Sequence, residues 1–186
     1  MKIIINDIVK SKDKMLGLAE MAKDDSANFN NFENRIDNYL AYHTAIYGGE
    51  IVAMSGIFQT PRWESKFCRV LDRTYYFKEA RSSGLNFLNE RELKAIASTY
   101  FLPEQLEIAL SKNLIPFFSI QGIKRRPAMY RMVERWNLKN KHQFTILPKL
   151  YYTCNSEPND NTMCWQNVAI LKVEGYKDFN LPSRPI

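Results

Sequence analysis

The sequence predicts an α/β fold, a mixed sheet with helices on both faces. Three observations predict it. The elements run β, α, α, β, β, β, α, β, α, β, β, two apolar runs are joined by a glycine pair, and two amphipathic stretches flank the buried run IPFFSIQ. With 186 residues, 45% hydrophobic and 25% charged, the chain is expected to form a single domain with a real core.

KIII near the start reads as a short strand. SKDKMLGLAEMAK follows as a helix, with Ser11 as its cap and Met15, Leu18 and Met21 or Ala22 on one face. A second short helix is expected over NFENRIDNYLAY. AYHTAIY and IVAMSGIF flank Gly48-Gly49-Glu50, which is a hairpin signal. The loop QTPRWESK leads to a strand from about Phe67 to Phe77, rich in β-branched and aromatic residues. LPEQLEIALSKNL is a helix with Pro103 at its first position, Glu104 in its first turn, and Leu106, Ala109 and Leu110 facing the core. IPFFSIQ is a buried strand. RRPAMYRMVERW is a helix whose Met129, Met132, Val133 and Trp136 form an inward stripe behind Pro127. QFTILPKLYYTC and CWQNVAILKV close the sheet across the turn-rich NSEPNDNTM.

Several function classes are set aside by composition. MKIIINDIVK is too short an apolar run for a signal peptide, and no stretch approaches the roughly 18 apolar residues of a membrane span. A soluble, cytoplasmic protein without a membrane partner is expected, as monomer or homodimer. Cys68, Cys154 and Cys164 form no CxxC pair and read as buried thiols. His43 and His142 make no HxxxH or Cys/His spacing, so no metal is expected and both read as structural. A formal charge of +6 favours an anionic partner: a phosphorylated cofactor, a nucleic acid or an acidic protein. Arg131 and Arg135 fall on the polar face of the last helix. No aromatic-interleaved motif or Gly-rich clamp accompanies them, which argues against nucleic acid.

RSSGL, Arg81 to Leu85, follows the third long strand and is either a phosphate-binding turn or an ordinary solvated one. Backbone N–H groups exposed just before a helix N-terminus attract pyrophosphate, and Gly84 would allow its close approach. An insertion at 85–101 separates this turn from the next helix. LNFLNERELKAIAS within it is read as an accessory helix or a flap standing apart from the sheet. If the helix near Pro103 occupies the cofactor position, Ser98 to Phe101 supply the phosphate-facing amides instead. Lys124, Arg125 and Arg126 concentrate positive charge before another helix, as a phosphate contact or as a solvated basic turn.

The element order, together with three joints, resembles the GNAT acetyltransferase superfamily. Arg81-Ser82-Ser83-Gly84-Leu85-Asn86 matches the family's Q/R-x-x-G-x-G/A turn except at its last position. IPFFSIQ matches the strand that splays to admit the pantetheine arm. RRPAMYRMVERW departs from the family's N-x-x-A-x-x-x-Y pattern, with Ala128 present, Met132 at the tyrosine position and Tyr130 two residues early. RVLDRTYYFKEAR, FFSIQ, RRPAM and YYTC with a later CWQ are similar to GNAT-like proteins of tailed marine phages.

This resemblance implies a mostly antiparallel central sheet of about seven strands, flanked by helices on both faces. It implies transfer of an acetyl group from acetyl-CoA, as cosubstrate, to an amine acceptor. The implied cofactor contacts are the strand edge at Tyr76 and Phe77, then Arg81, Ser82, Ser83 and Gly84, Ser119 and Gln121 on the splaying strand, and Arg125 and Arg126. The implied acid is Tyr130, and the implied base is Glu79 or a water held by backbone carbonyls. A second expectation is a non-catalytic GNAT-shaped binding or structural module of a phage, because fold does not fix function.

Overall fold

The structure, a computed structural model, describes residues 5–9, 11–23, 29, 32–59, 66–77, 92, 95–120, 126–153 and 163–172. Among them seven strands form one sheet: β1 (Ile5–Val9), β2 (Tyr39–Tyr47), β3 (Glu50–Phe58), β4 (Phe67–Tyr76), β5 (Ile115–Ile120), β6 (Phe144–Thr153) and β7 (Met163–Leu171). Their order is β1-β2-β3-β4-β5-β7-β6, and of these neighbours β4 and β5 alone run parallel. The helices are α1 (Lys12–Lys23), α2 (Leu102–Ser111) and α3 (Arg126–Lys139). The mostly antiparallel, helix-flanked sheet is the fold class the sequence predicts.

Local chemistry explains the joints. Gly48 and Gly49 have φ of 60° and 88°, the two positive values a type I′ turn requires, and Tyr47 pairs with Glu50 across it. The Met15 N–H donates to the carbonyl of Ser11, and α1 buries Met15, Leu18, Ala19 and Ala22 while Met21 stays exposed. Pro148, which has no N–H, lies on edge strand β6 where its register with β7 shifts.

The two faces carry different cores. On one, α1 and a 3₁₀ turn (Glu33–Asn38) cover Tyr39, Tyr42, Met54, Phe58 and Tyr75. On the other, α2 and α3 cover Ala41, Ile57, Cys68, Val70, Phe118, Ile120, Ala169 and Leu171.

Two expectations are corrected. The helix over NFENRIDNYLAY is the short 3₁₀ turn, because Tyr39 already pairs with Phe58 and the apolar alternation of β2 takes over. The helical run before α2 begins upstream of Pro103. Ala95 and Ile96 are helical, Ala97–Phe101 forms a π turn, and the Leu102 N–H donates to the Ala97 carbonyl. Ser98 to Phe101 therefore lie inside a helix and offer no N-terminal amides. Nor do residues 95–101 stand apart from the sheet: Ile96, Ala97 and Phe101 pack on Ala45, Val52 and Ala53. The gain from burying these side chains outweighs exposure as a flap. The remainder of 85–101, Glu92 apart, lies outside the described residues.

Candidate functional site

β4 and β5 pair through Phe67 with Ile115, Cys68 with Pro116 and Arg69 with Phe117, and then diverge. β4 continues to Tyr76 and β5 to Ile120 without further mutual pairing among the described residues. A bulge in β4 produces the divergence. Leu71 and Arg73 have φ of 53° and 47°, and the β3–β4 register shifts twice beside them. Left-handed backbone at two bulky residues costs about 1–2 kcal/mol each. Three bonds hold it. Thr74 donates its hydroxyl proton to the Leu71 carbonyl over 2.9 Å, so Ser55 must be the donor in its 2.9 Å bond to Thr74. Gln105 of α2 accepts the Leu71 N–H at 2.7 Å, taking the place of a neighbouring strand.

Among the described residues, two of the buried polar atoms without a partner lie on α2 and β5. Gln105 is fully buried and its Nε2 has no hydrogen-bond partner; the Ser119 Oγ on β5 is likewise buried and unpartnered. Each such atom costs about 1–3 kcal/mol unless something binds it.

The bulge also turns two successive side chains toward α1. Asp72 accepts the Tyr39 hydroxyl at 2.5 Å through Oδ2, and its Oδ1 lies 2.5 Å from the Arg69 Nη2. Arg73 stacks over Phe29 and Phe32, 5.9 and 5.4 Å from their centroids, and Arg69 lies 5.4 Å over Phe58. Burial, then the carboxylate of Asp72, holds the Tyr39 phenol far above its ordinary value, so it stays a neutral donor. Gly56 permits the arrangement, because a Cβ there would meet the Tyr39 and Tyr42 rings at 2.7 Å.

His43 is fully buried on β2, its Nδ1 3.6 Å from Glu104 Oε2, and burial pushes the imidazole down to about 4. It is neutral near pH 7. Burial pushes the Cys68 thiol up to about 12, which makes it unreactive.

Of the residues singled out from sequence, Tyr130 on α3 accepts an N–H from Asn167, which pairs with Ile120 at the end of β5. Its own hydroxyl proton is left to donate elsewhere. Phe118 and Ile120 face α3, so strand alternation turns Ser119 to the opposite face from Tyr130. Phe77 spends its N–H on the Val52 carbonyl at 3.0 Å and buries its ring beside Tyr75. Tyr76, one residue earlier, turns its peptide groups away from β3, and its side chain packs with the π turn. Arg126 opens α3. Glu79, Arg81, Ser82, Ser83, Gly84, Gln121 and Arg125 lie outside the described residues.

The sequence reading missed Gln105 and the Tyr39–Arg69–Asp72–Arg73 group. Both left signals. Gln105 falls inside the buried stripe Leu102, Leu106 and Ala109, and three charges interrupt an otherwise apolar central strand.

No family model matches the chain, and no curated protein does. Solved structures do. Diaminobutyrate acetyltransferase EctA from Paenibacillus lautus, in complex with L-2,4-diaminobutyric acid and coenzyme A, is 13% identical with a TM-score of 0.54, covering 92% of this chain and 95% of that one. An acetyltransferase of the GNAT family from Streptococcus pneumoniae is 12% identical with a TM-score of 0.50, covering 91% and 100%. The protein yncA from Salmonella typhimurium, with its cofactor acetyl-CoA, is 10% identical with a TM-score of 0.52, covering 96% and 98%. The chain has the fold of these acetyltransferases.

Proposed function

We propose that the chain is an N-acetyltransferase that takes its acetyl group from acetyl-CoA and delivers it to an amine. The observation that carries this reading is the divergence of β4 from β5 with the Ser119 Oγ and Gln105 Nε2 unpartnered beside it. The pantetheine arm of acetyl-CoA fits such an opening, since its amide carbonyls and N–H groups supply partners for a hydroxyl and an amide nitrogen. Bound acetyl-CoA supplies an acetyl group activated as a thioester.

The chain's own residues bind and move protons. The end of β4 at Tyr76 and Phe77 is read as one side of the pantetheine path, and Ser119 of β5 as the other, with Gln121 as a further contact. Arg81 and the amides of Ser82, Ser83 and Gly84 meet the pyrophosphate, and Arg125 and Arg126 meet the remaining phosphate. Glu79, or a water, takes a proton from the acceptor ammonium. Tyr130, its oxygen already accepting the Asn167 N–H, donates its hydroxyl proton to the leaving sulfur.

A competing reading, a GNAT-shaped binding or structural module such as a phage would carry, rests on Met132. It takes the place of the family's helix tyrosine and packs into the core. Release of free CoA thiol from acetyl-CoA, across a panel of amines, separates the two. Transfer with a Tyr130→Phe loss of about 10²-fold or more in kcat supports catalysis. Bound acetyl-CoA without thiol release from any amine favours the module.

A further inference from the structure

Arg73 is a cation without a counter-ion among the described residues. The only carboxylate among the described residues nearby, Asp72, spends one oxygen on Tyr39 and the other on Arg69. Among the described residues Arg73 makes no side-chain hydrogen bond or ion pair, and its Nη1 is buried without a partner. Its guanidinium is nevertheless fixed, stacked on Phe29 and Phe32 by a bulge whose left-handed backbone aims it at the α1 side. Arg35 of the 3₁₀ turn lies in the same field. Burial, then the charge of Arg73, holds Arg35 below its ordinary value. Among the described residues three guanidinium groups thus share one carboxylate on the α1 side of β4, a surplus of two positive charges. Fixed, partly desolvated guanidinium donors with no internal partner are what recognition of a planar oxyanion requires.

We propose that Arg73, assisted by Arg35, is the receptor for a carboxylate, and that the amine acceptor is a carboxylate-bearing amine, such as an amino acid or an acidic peptide end. The substrate class rests on the acetyl-transfer reading; the anion site does not. Asp72 and Arg73 lie three and four residues beyond the last β4–β5 pair, on the diverging part of β4. They project on the α1 side, whereas Gln105 approaches from α2. An acceptor anchored here reaches the opening from the face opposite α2 and α3. The surplus positive charge also lowers the pKa of a nearby substrate ammonium, which favours the neutral, nucleophilic amine.

The test is calorimetric titration of the full chain with glutarate, with inorganic phosphate, and separately with acetyl-CoA. Saturable glutarate binding is expected, weakened about tenfold or more in Arg73→Gln and in part restored in Arg73→Lys. Arg35→Gln, at the more exposed of the two arginines, should weaken it less. Acetyl-CoA binding should stay unchanged in all three variants. No glutarate binding, or equal binding by wild type and Arg73→Gln, overturns the proposal. Phosphate binding more tightly than glutarate with the same Arg73 dependence overturns the carboxylate assignment. Glutarate binding with the expected dependence, in a protein that ignores acetyl-CoA, leaves the anion site standing and removes acetyl transfer.

Discussion

A methyl group at Gly56 would strike the Tyr39 and Tyr42 rings at 2.7 Å, and Tyr39 is tied to Asp72. Gly56→Ala is therefore expected to destabilise the chain by about 1–3 kcal/mol, read by urea unfolding, although alanine suits a strand better than glycine. His43 carries the pH prediction. Its imidazole titrates near 6.5 when unfolded and is pushed down to about 4 by burial, so between those values the unfolded chain takes up the proton first. Stability present above pH 6.5 is lost as pH falls toward 4, by about 3 kcal/mol at most. Unfolding followed across that range should show a steeper pH slope in wild type than in His43→Leu. Sequence reading placed His43 on a strand and gave it a structural role. It could not show that this imidazole faces α2 with neither nitrogen bonded, because that depends on a helix more than fifty residues away.

Elements with their own local signal were legible, and those shaped by distant contacts were not. The Gly48-Gly49 hairpin, the stripe of α3 and the apolar run of β5 follow from periodicity and turn chemistry. The β4 bulge does not, since Leu71 and Arg73 are unusual residues for left-handed backbone and only the Thr74, Ser55 and Gln105 bonds hold them there. The π turn before α2 was hidden for a related reason: its burial depends on Ala45, Val52 and Ala53 of the sheet. Gln105 joins helix to bulge, which gives a prediction at this scale. Gln105→Leu strands the Leu71 N–H and should cost about 1–3 kcal/mol. Hydrogen exchange at the Leu71 amide should accelerate more than at β7 amides. Equal acceleration throughout would mean the bond only contributes to global stability.

Across the whole molecule, element order predicts a mixed sheet and the resemblance a mostly antiparallel one; that β4 and β5 form its parallel pair is shown by the structure, where a strand–helix–strand crossover joins them. The same order resembles acetyltransferases, and the solved structures share the fold. What the order could not give is the polar lining of the opening. Ser119 is legible as a site residue from the splaying strand, while Gln105 and the arginine cluster are brought together only by segments distant in sequence. The proposed function puts acetyl-CoA in the divergence of β4 and β5. Its most direct test is an isothermal titration of the folded chain with acetyl-CoA and with desulfo-CoA. Saturable one-site binding of both is predicted, weakened by Arg81→Ala and by Ser119→Val. A folded chain that releases no heat and gains no thermal stability at millimolar acetyl-CoA would contradict it.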